Sequence, residues 1–335
     1  MLANKTPTRI IFPSQVRLFD PRHDLLGVAN LIELCFSDTL NQDGRKYIQE
    51  MRQTAQSHSH FVSVWSNTRE NAIPSLGFVW EENRQIIGNL TIIPHHSKTG
   101  THYLIANVAV HPDYRRRGIA QLLTERAILY LHQKGEKEVW LQVRDDNQGA
   151  INLYKKLGFV EKMRRTIWEI PNGKLPSVSS NQENQNFTFT LTNYSIRRRK
   201  PSEWHIHENW LNDTYPPQFG WHVNFDLDSF QPGLKGWFYS SWYEMELIHW
   251  SLYFQERLIG IASVESSPSA SKNIYLATEK LFEDQAIFAL VRFILDQYSR
   301  YHNWLIDYPA YRANKSLQAC GLIPTQTLIW MMRQI

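Results

Sequence analysis

The sequence predicts a mixed α+β protein built from two similarly ordered halves. Short apolar runs alternate with stretches whose apolar residues recur at spacings of three and four, so strands and helices share the chain. The order of elements after residue 193 repeats the order before residue 170. A chain of 335 residues also exceeds one typical domain. The 42% hydrophobic and 20% charged content argue against disorder as the main state. Net charge is 36 minus 32, or +4, which permits acidic ligands without demanding nucleic acid. Cys35 and Cys320 lie one in each half, so a disulfide framework is not expected and a reduced cytoplasmic setting fits. Residues 1–13 lack the apolar core of a signal peptide, and no uncharged apolar run approaches membrane-spanning length. The expectation is a soluble cytoplasmic protein with no membrane partner.

In the first half, Val16 to Phe19 reads as a strand ended by Pro21. Leu25, Leu26, Val28, Ala29, Leu31 and Ile32 mark a helix with Asp24 as its expected N-cap, and residues 45–56 a second, more polar helix. Residues 76–80 and 85–93 flank the polar turn Glu81-Glu82-Asn83-Arg84, which predicts a hairpin. A strand over 103–110 follows, and Pro112 stops it. Ile119, Leu122, Leu123, Ala127, Tyr130 and Leu131 give the next helix a buried face, which Gly135 ends. Residues 138–144 alternate as a strand. Asp145, Asp146 or Asn147 then caps a helix with stripe Ala150, Leu153, Tyr154 and Leu157, closed by Gly158, and a strand over 159–170 completes the half.

Residues 171–186 are rich in Pro, Gly, Ser, Asn and Gln and read as a linker. Beyond it come a strand over 193–199, a helix over 203–211, a hairpin at 247–254 and 258–264, a helix over 285–298, a strand over 304–306, a helix over 314–320 and a strand over 328–332. Trp140-Leu141 precedes Gly158-Phe159 as Trp304-Leu305 precedes Gly321-Leu322, with separations that differ by one residue. A duplicated fold is expected, divided as 14–170, a linker at 171–187, and 188–335.

The chemistry is not duplicated. Arg115-Arg116-Arg117-Gly118-Ile119-Ala120-Gln121 joins a strand to a helix. A helix start leaves backbone N–H groups unpaired and carries partial positive charge, so the main chain there can hold a phosphate, and Gly118 lets it approach closely. The corresponding stretch of the second half, Glu279-Lys280-Leu281-Phe282-Glu283-Asp284, has three acids and no glycine. Counting back from the closing glycine puts Leu317 where the first half has Tyr154. The second half is thus expected to serve structure or substrate shape.

These residues resemble the GNAT superfamily of acetyl-CoA-dependent N-acetyltransferases, whose signature is Arg or Gln, two residues, Gly, one residue, Gly or Ala. The context agrees: Val108-Ala109-Val110-His111-Pro112 before the turn, and Asn147, Ala150, Leu153-Tyr154 and Gly158-Phe159 after it. Within the superfamily the first half is most similar to the ribosomal-protein N-terminal alanine acetyltransferases. The resemblance implies two tandem GNAT-like domains, each a central, mostly antiparallel, twisted sheet flanked by helices, the second degenerate and without the pyrophosphate loop. It implies acetyl-CoA as co-substrate, transfer to a primary amine of a small molecule or peptide in a ternary complex, and no metal. Main-chain groups of Val108, Ala109 and Val110 would meet the pantetheine arm. Arg115, Arg116, Arg117, Gly118, Ile119, Ala120 and Gln121 would surround the pyrophosphate. Asn147 would sit beside the arm, and Tyr154 would protonate the departing thiolate.

One departure concerns the base. The alanine acetyltransferases carry a glutamate in a Leu-Glu-Val segment, which here is Leu141-Gln142-Val143. Gln142 cannot accept a proton, which leaves a water chain, His111, another carboxylate or an amine that arrives neutral. A non-catalytic acyl-CoA-binding or regulatory protein is the alternative. For Arg197-Arg198-Arg199-Lys200 a solvated rim or an acidic partner is favoured over nucleic acid. His95-His96 has no ligand-spaced Cys, Asp or Glu nearby. Trp204, Trp210, Trp221, Trp237, Trp242 and Trp250 are expected mainly in the core, with some free to line a substrate groove.

Overall fold

The computed structural model describes residues 12–38, 40, 42–56, 75–97, 100–170, 193–216, 227–232, 247–265, 272–298 and 304–335. The expected linker at 171–187, together with Trp221, Trp237 and Trp242, lies outside them. Two compact units divide the chain: Met1–Lys162 with Trp330–Ile335, and Met163–Ile329.

Unit 1 runs β1 (Val16–Leu18), α1 (Pro21–Phe36), α2 (Gln42–Gln56), β2 (Gly77–Glu82), β3 (Gln85–Ser97), β4 (Gly100–Val110), α3 (Ile119–Gln133), β5 (Glu138–Arg144) and α4 (Gln148–Lys156). Its sheet is ordered β1-β2-β3-β4-β5, and the end of β12 (Ile323–Gln334) follows β5, with the Ile335 N–H donating to the Lys137 carbonyl at 2.9 Å. Strands β1 to β4 pair antiparallel and β4 pairs parallel with β5. The β2–β3 turn places Asn83 and Arg84 at φ 51 and 62, the left-handed pair that a two-residue hairpin needs.

Asp24 does not cap α1. Asp20 does, accepting from the Arg22 N–H at 3.0 Å, while Pro21 occupies the first helical position, where a missing N–H costs nothing. Asp24 is instead buried, paired with both Arg17 guanidinium nitrogens at 2.7 Å and accepting from the Asp20 N–H at 2.7 Å. Leu25, Val28, Ala29 and Ile32 of α1 then pack with Ile48 and Met51 of α2 and with Val79. On α3, the predicted stripe holds Leu123, Ala127 and Leu131 fully buried. A Cβ on Gly88 of β3 would fall 2.9 Å from Ile119, so this glycine lets α3 lie close on the sheet.

Unit 2 opens with most of β6 (Val160–Glu169), then β7 (Tyr194–Arg198), α5 (Trp204–Thr214), β8 (Leu247–Phe254), β9 (Arg257–Glu265), β10 (Lys272–Thr278), α6 (Glu283–Gln297), β11 (Trp304–Pro309), α7 (Asn314–Ala319) and the start of β12. Its strands are ordered β12-β6-β11-β10-β9-β8-β7. Strand β10 has no counterpart among the sequence expectations. Its Ile274, Leu276 and Ala277 are buried beside a buried Tyr275, and a strand buried on both faces shows no alternation to read. The core joins Ala286, Ile287, Leu290, Val291 and Ile294 of α6 to Leu252, Ile259, Ile274, Trp304 and Ile306 of the sheet. Trp204 and Trp210 pack on a second cluster of Leu211, Tyr215, Phe230, Tyr275 and Ala277.

This unit also buries a histidine. His207 on α5 is fully enclosed, and its Nδ1 accepts from the Arg199 guanidinium at 2.8 Å, because an arginine can only donate. Burial, reinforced by the charges of His249 and Arg199, lowers its pKa well below the ordinary histidine value. The folded protein therefore holds His207 neutral, whereas the unfolded chain takes up a proton below about pH 6.5. Stability is complete above that pH and declines as pH falls, by about 1.4 kcal/mol per unit from this one group. His207 alone is expected to cost unit 2 about 2 kcal/mol in urea unfolding between pH 7 and pH 5, and His207→Phe to remove that part of the slope. An unchanged slope in the variant would assign the acid sensitivity elsewhere.

Candidate acetyl-CoA site

The candidate site begins where β4 and β5 part. Among the described residues they pair only at Leu104↔Trp140 and Ile105↔Leu141, although β4 continues to Val110 and β5 to Arg144. Past Ile105, among the described residues, β4 forms no ladder pair with β5, so main-chain groups on that edge are not spent on β5. After β4, the His111 N–H donates to the Ile87 carbonyl at 2.8 Å and a short helical turn spans Pro112–Tyr114. Arg116 then takes φ 64 and Gly118 φ 80, which swing the chain into α3.

No side chain caps that helix start. The N–H groups of Ile119, Ala120 and Gln121 have no intrahelical acceptors by helix geometry, and the helix dipole adds to their positive potential. A Cβ built on Gly118 would meet no atom within 4 Å, so there is room in front of the turn. The side chains of Arg115, Arg116 and Arg117 are exposed around it. Arg117 lies over the Tyr114 ring at 4.8 Å and donates to the Asp113 carbonyl at 3.1 Å. Arg115 Nε donates to the Val110 carbonyl at 3.2 Å, and the Cys35 thiol reaches the same oxygen at 3.3 Å. This oxygen already has protein donors. An unblocked helix start with flanking guanidinium groups and open space fits a pyrophosphate.

Gly118→Val is expected to weaken coenzyme A binding by about tenfold, because a β-branched residue resists positive φ by about 1–2 kcal/mol and the first N–H groups would turn away. Titration calorimetry with coenzyme A checks it; wild-type affinity in the variant would count against this placement.

On the other side of the site, Asn147 caps α4, its Oδ1 accepting from the Ala150 N–H at 3.1 Å. Tyr154 on α4 is 5% exposed and meets Phe159 edge-on at 5.9 Å between ring centres. Burial pushes its hydroxyl pKa up, so the phenol keeps its proton through the neutral range. The side chains of Ala109 and Ile119 point into the core, 2% and 3% exposed, which leaves only their main-chain groups for a ligand. The Gln121 amide bonds Glu125 at 2.8 Å and accepts from Lys156 at 3.3 Å, tying α3 to α4. Gln142 is exposed on β5. His111 spends its Nδ1 on the Asp113 N–H at 3.3 Å, capping the turn.

Sequence reasoning missed three residues around β4. Asn89 is 1% exposed inside the apolar run of β3, and that buried amide was the available signal. Tyr47 on α2 is hydrogen-bonded to the Asn107 side chain, and burial pushes its pKa up to about 12. Cys35 reaches the site from α1, and nothing in its local sequence pointed there.

The second copy has closed the equivalent place. The Glu279 N–H donates to the Ile259 carbonyl at 3.0 Å, as His111 does to Ile87, which aligns the two turns. Glu283 and Asp284 stand in the first turn of α6. Glu283 accepts from Tyr308 and from Arg312, and Asp284 from Ser316 at 2.6 Å; Glu279 is paired with Arg257 and Lys280 with Asp213. Acidic side chains complement that helix start and repel an anion. Strand β10 parts from β11 after Asn273↔Leu305, but its Leu276 N–H donates to the hydroxyl of Tyr215, which is 1% exposed. Where β4 parts from β5 past Ile105, β10 is met by the protein's own tyrosine. Leu317, at the position of Tyr154, is buried and apolar.

Unit 1 is thus an α+β domain with a strand edge that parts from its neighbour and an uncapped helix start beside it. Residues 31–159 match the Acetyltransferase (GNAT) family, and this part of the chain is a GNAT domain. The chain is 42% identical over 69 residues to the [ribosomal protein bS18]-alanine N-acetyltransferase of Escherichia coli K12, 20% of this chain and 47% of that protein. It is 32% identical over 109 residues to the N-alpha-acetyltransferase MAK3 of Arabidopsis thaliana, 32% of this chain and 53% of that one. The chain thus spans about half the length of these relatives. A solved GCN5-related N-acetyltransferase from Sphaerobacter thermophilus covers 97% of this chain and 97% of its own length, with a TM-score of 0.56 and 11% identity. That likeness runs through both halves, so both have the GNAT fold.

Proposed function

We propose that the chain is an acetyl-CoA-dependent N-acetyltransferase, with residues 14–170 as the catalytic domain and 188–335 as a degenerate copy. The observation that carries this is the open edge of β4 leading to an uncapped helix start at Gly118, which the second copy has closed. Acetyl-CoA supplies an activated acyl group whose leaving atom is a sulfur. The first-turn N–H groups of α3, helped by Arg115 to Arg117, would hold its pyrophosphate, and Val108 and the residues after it would align its arm. Tyr154 carries the proton that the departing thiolate needs. Gln142 cannot accept a proton, so the amine would be deprotonated through water, by another carboxylate, or by His111 once its Nδ1 leaves the Asp113 N–H, or would arrive neutral. Attack is direct, within a ternary complex, on a primary amine of a small molecule or peptide.

The names of the similar relatives favour peptide N-termini, so the first acceptors to try are peptides beginning with alanine, alongside polyamines and amino-acid amides. The test is thiol release from acetyl-CoA with each acceptor. A purified chain that does not bind acetyl-CoA would sink the proposal. The exposed Gln142 favours one other reading, a non-catalytic acyl-CoA-binding protein, which predicts binding but no thiol release with any acceptor.

A further inference from the structure

Strand β4 is not regular. Between the pairs Asn89↔Ala109 and Thr91↔Ala106 it carries one residue more than β3, so Asn107 and Val108 together face Leu90. This is a β-bulge, and Asn107 sits in it at φ 50. A bulge leaves main-chain groups without ladder partners, and here the enclosed one is satisfied by a side chain. The buried Asn89 amide donates from Nδ2 to the Asn107 carbonyl at 2.9 Å, with a longer contact to Thr91 Oγ1 at 3.4 Å. Tyr47 holds the Asn107 side chain from α2.

The second copy provides an internal comparison. Gly88 faces Val110 as Gly260 faces Thr278, and each glycine lies under a helix, Gly88 against Ile119 and Gly260 against Ala286. One residue further along, Asn89 corresponds to Ile261, which has no donor. From there β9 and β10 pair without interruption to Ile274↔Val264. Amide and bulge occur together in the copy with the arginine turn and are both missing from the copy without it.

We infer that Asn89 is a positioning residue for acetyl-CoA binding, whose amide pins the bulge at Asn107 and so keeps Val108 and the rest of the β4 edge turned toward the ligand. The inference rests on the proposed function of unit 1. Asn89→Leu keeps the volume but removes the donor, leaving the enclosed carbonyl unpaired, so the bulge should relax toward a regular ladder. The expected result is an affinity for coenzyme A lowered by about tenfold and a KM for acetyl-CoA raised in step, with kcat at saturation changed much less. A packing defect alone would lower the urea midpoint without this split. Asn107→Val attacks the same bulge from its other side, since a β-branched residue resists positive φ, and should reproduce the effect; it carries the test if Asn89→Leu does not fold. Wild-type coenzyme A affinity in both variants, or a fall in kcat with KM unchanged, would overturn the inference while leaving the proposed function standing. A wild-type chain that does not bind coenzyme A would overturn the proposed function, and this inference with it.

Discussion

Tyr154→Phe is expected to lower kcat by about 10²–10³-fold, the range for loss of a positioned general acid, while affinity for acetyl-CoA stays within a factor of about three. The change removes one oxygen and leaves the ring, so the edge-on contact with Phe159 and the packing of α4 persist. Because burial raises the Tyr154 pKa, the hydroxyl stays protonated across the neutral range, and no fall in kcat between pH 6 and 9 should come from its ionisation. Any rise in activity across that range reports deprotonation of the amine or of its base. Steady-state kinetics of both proteins with acetyl-CoA and an active acceptor check this. Wild-type kcat in the variant would return Tyr154 to the role of a packed core tyrosine.

The outline of unit 1 was legible because its signals are local. The residues of the β2–β3 turn, the stripe of α3 and Asn147 before α4 each state their structure within a few positions. Asp24 misled for the same reason: an acid ahead of an apolar run reads as a cap, although Pro21 already marks the first helical position and Asp20 the cap before it. Strand β10 was hidden because burial on both faces erases the period on which strand reading depends. The arginine turn was legible as a basic strand-to-helix turn, since sign of charge and glycine suffice. The bulge was not, since the Asn89 amide and the Asn107 carbonyl meet across 18 positions. In the second half, the acidic helix start was legible in Glu279 to Asp284, but the filling of the β10 edge by Tyr215 was not. That contact joins Tyr215 to Leu276, 61 residues away, and no local pattern encodes it.

The filled edge explains why the largest stability effect is expected at an arginine of β6. Arg165 is 2% exposed; its Nε bonds the Asp307 carboxylate at 2.6 Å, Nη2 the Asp307 carbonyl at 2.8 Å and Nη1 the Thr214 carbonyl at 2.7 Å. Its guanidinium also lies over the Tyr215 ring at 4.8 Å, so one side chain joins β6 and β11 to the end of α5 and braces the tyrosine. Arg165→Met should destabilise unit 2 by about 3–5 kcal/mol, because it strands a carboxylate and two carbonyls rather than merely deleting a pair. Pairing it with Asp307→Leu should recover part of that loss, since an apolar pair of similar volume leaves no charge unmatched. The pH dependence has a definite sign. Burial already pushes the Asp307 carboxyl up against the lowering effect of Arg165, and without Arg165 it rises further. The deficit of Arg165→Met relative to wild type is therefore fully present at neutral pH and shrinks as pH falls through the raised Asp307 pKa, while the histidine contribution acts on both proteins and cancels in the difference. Urea unfolding at pH 7 and at pH 4.5 measures both quantities. A deficit that does not shrink in acid would mean that Arg165 acts mainly through its packing on Tyr215 and its bonds to the two carbonyls, not through the charge of Asp307.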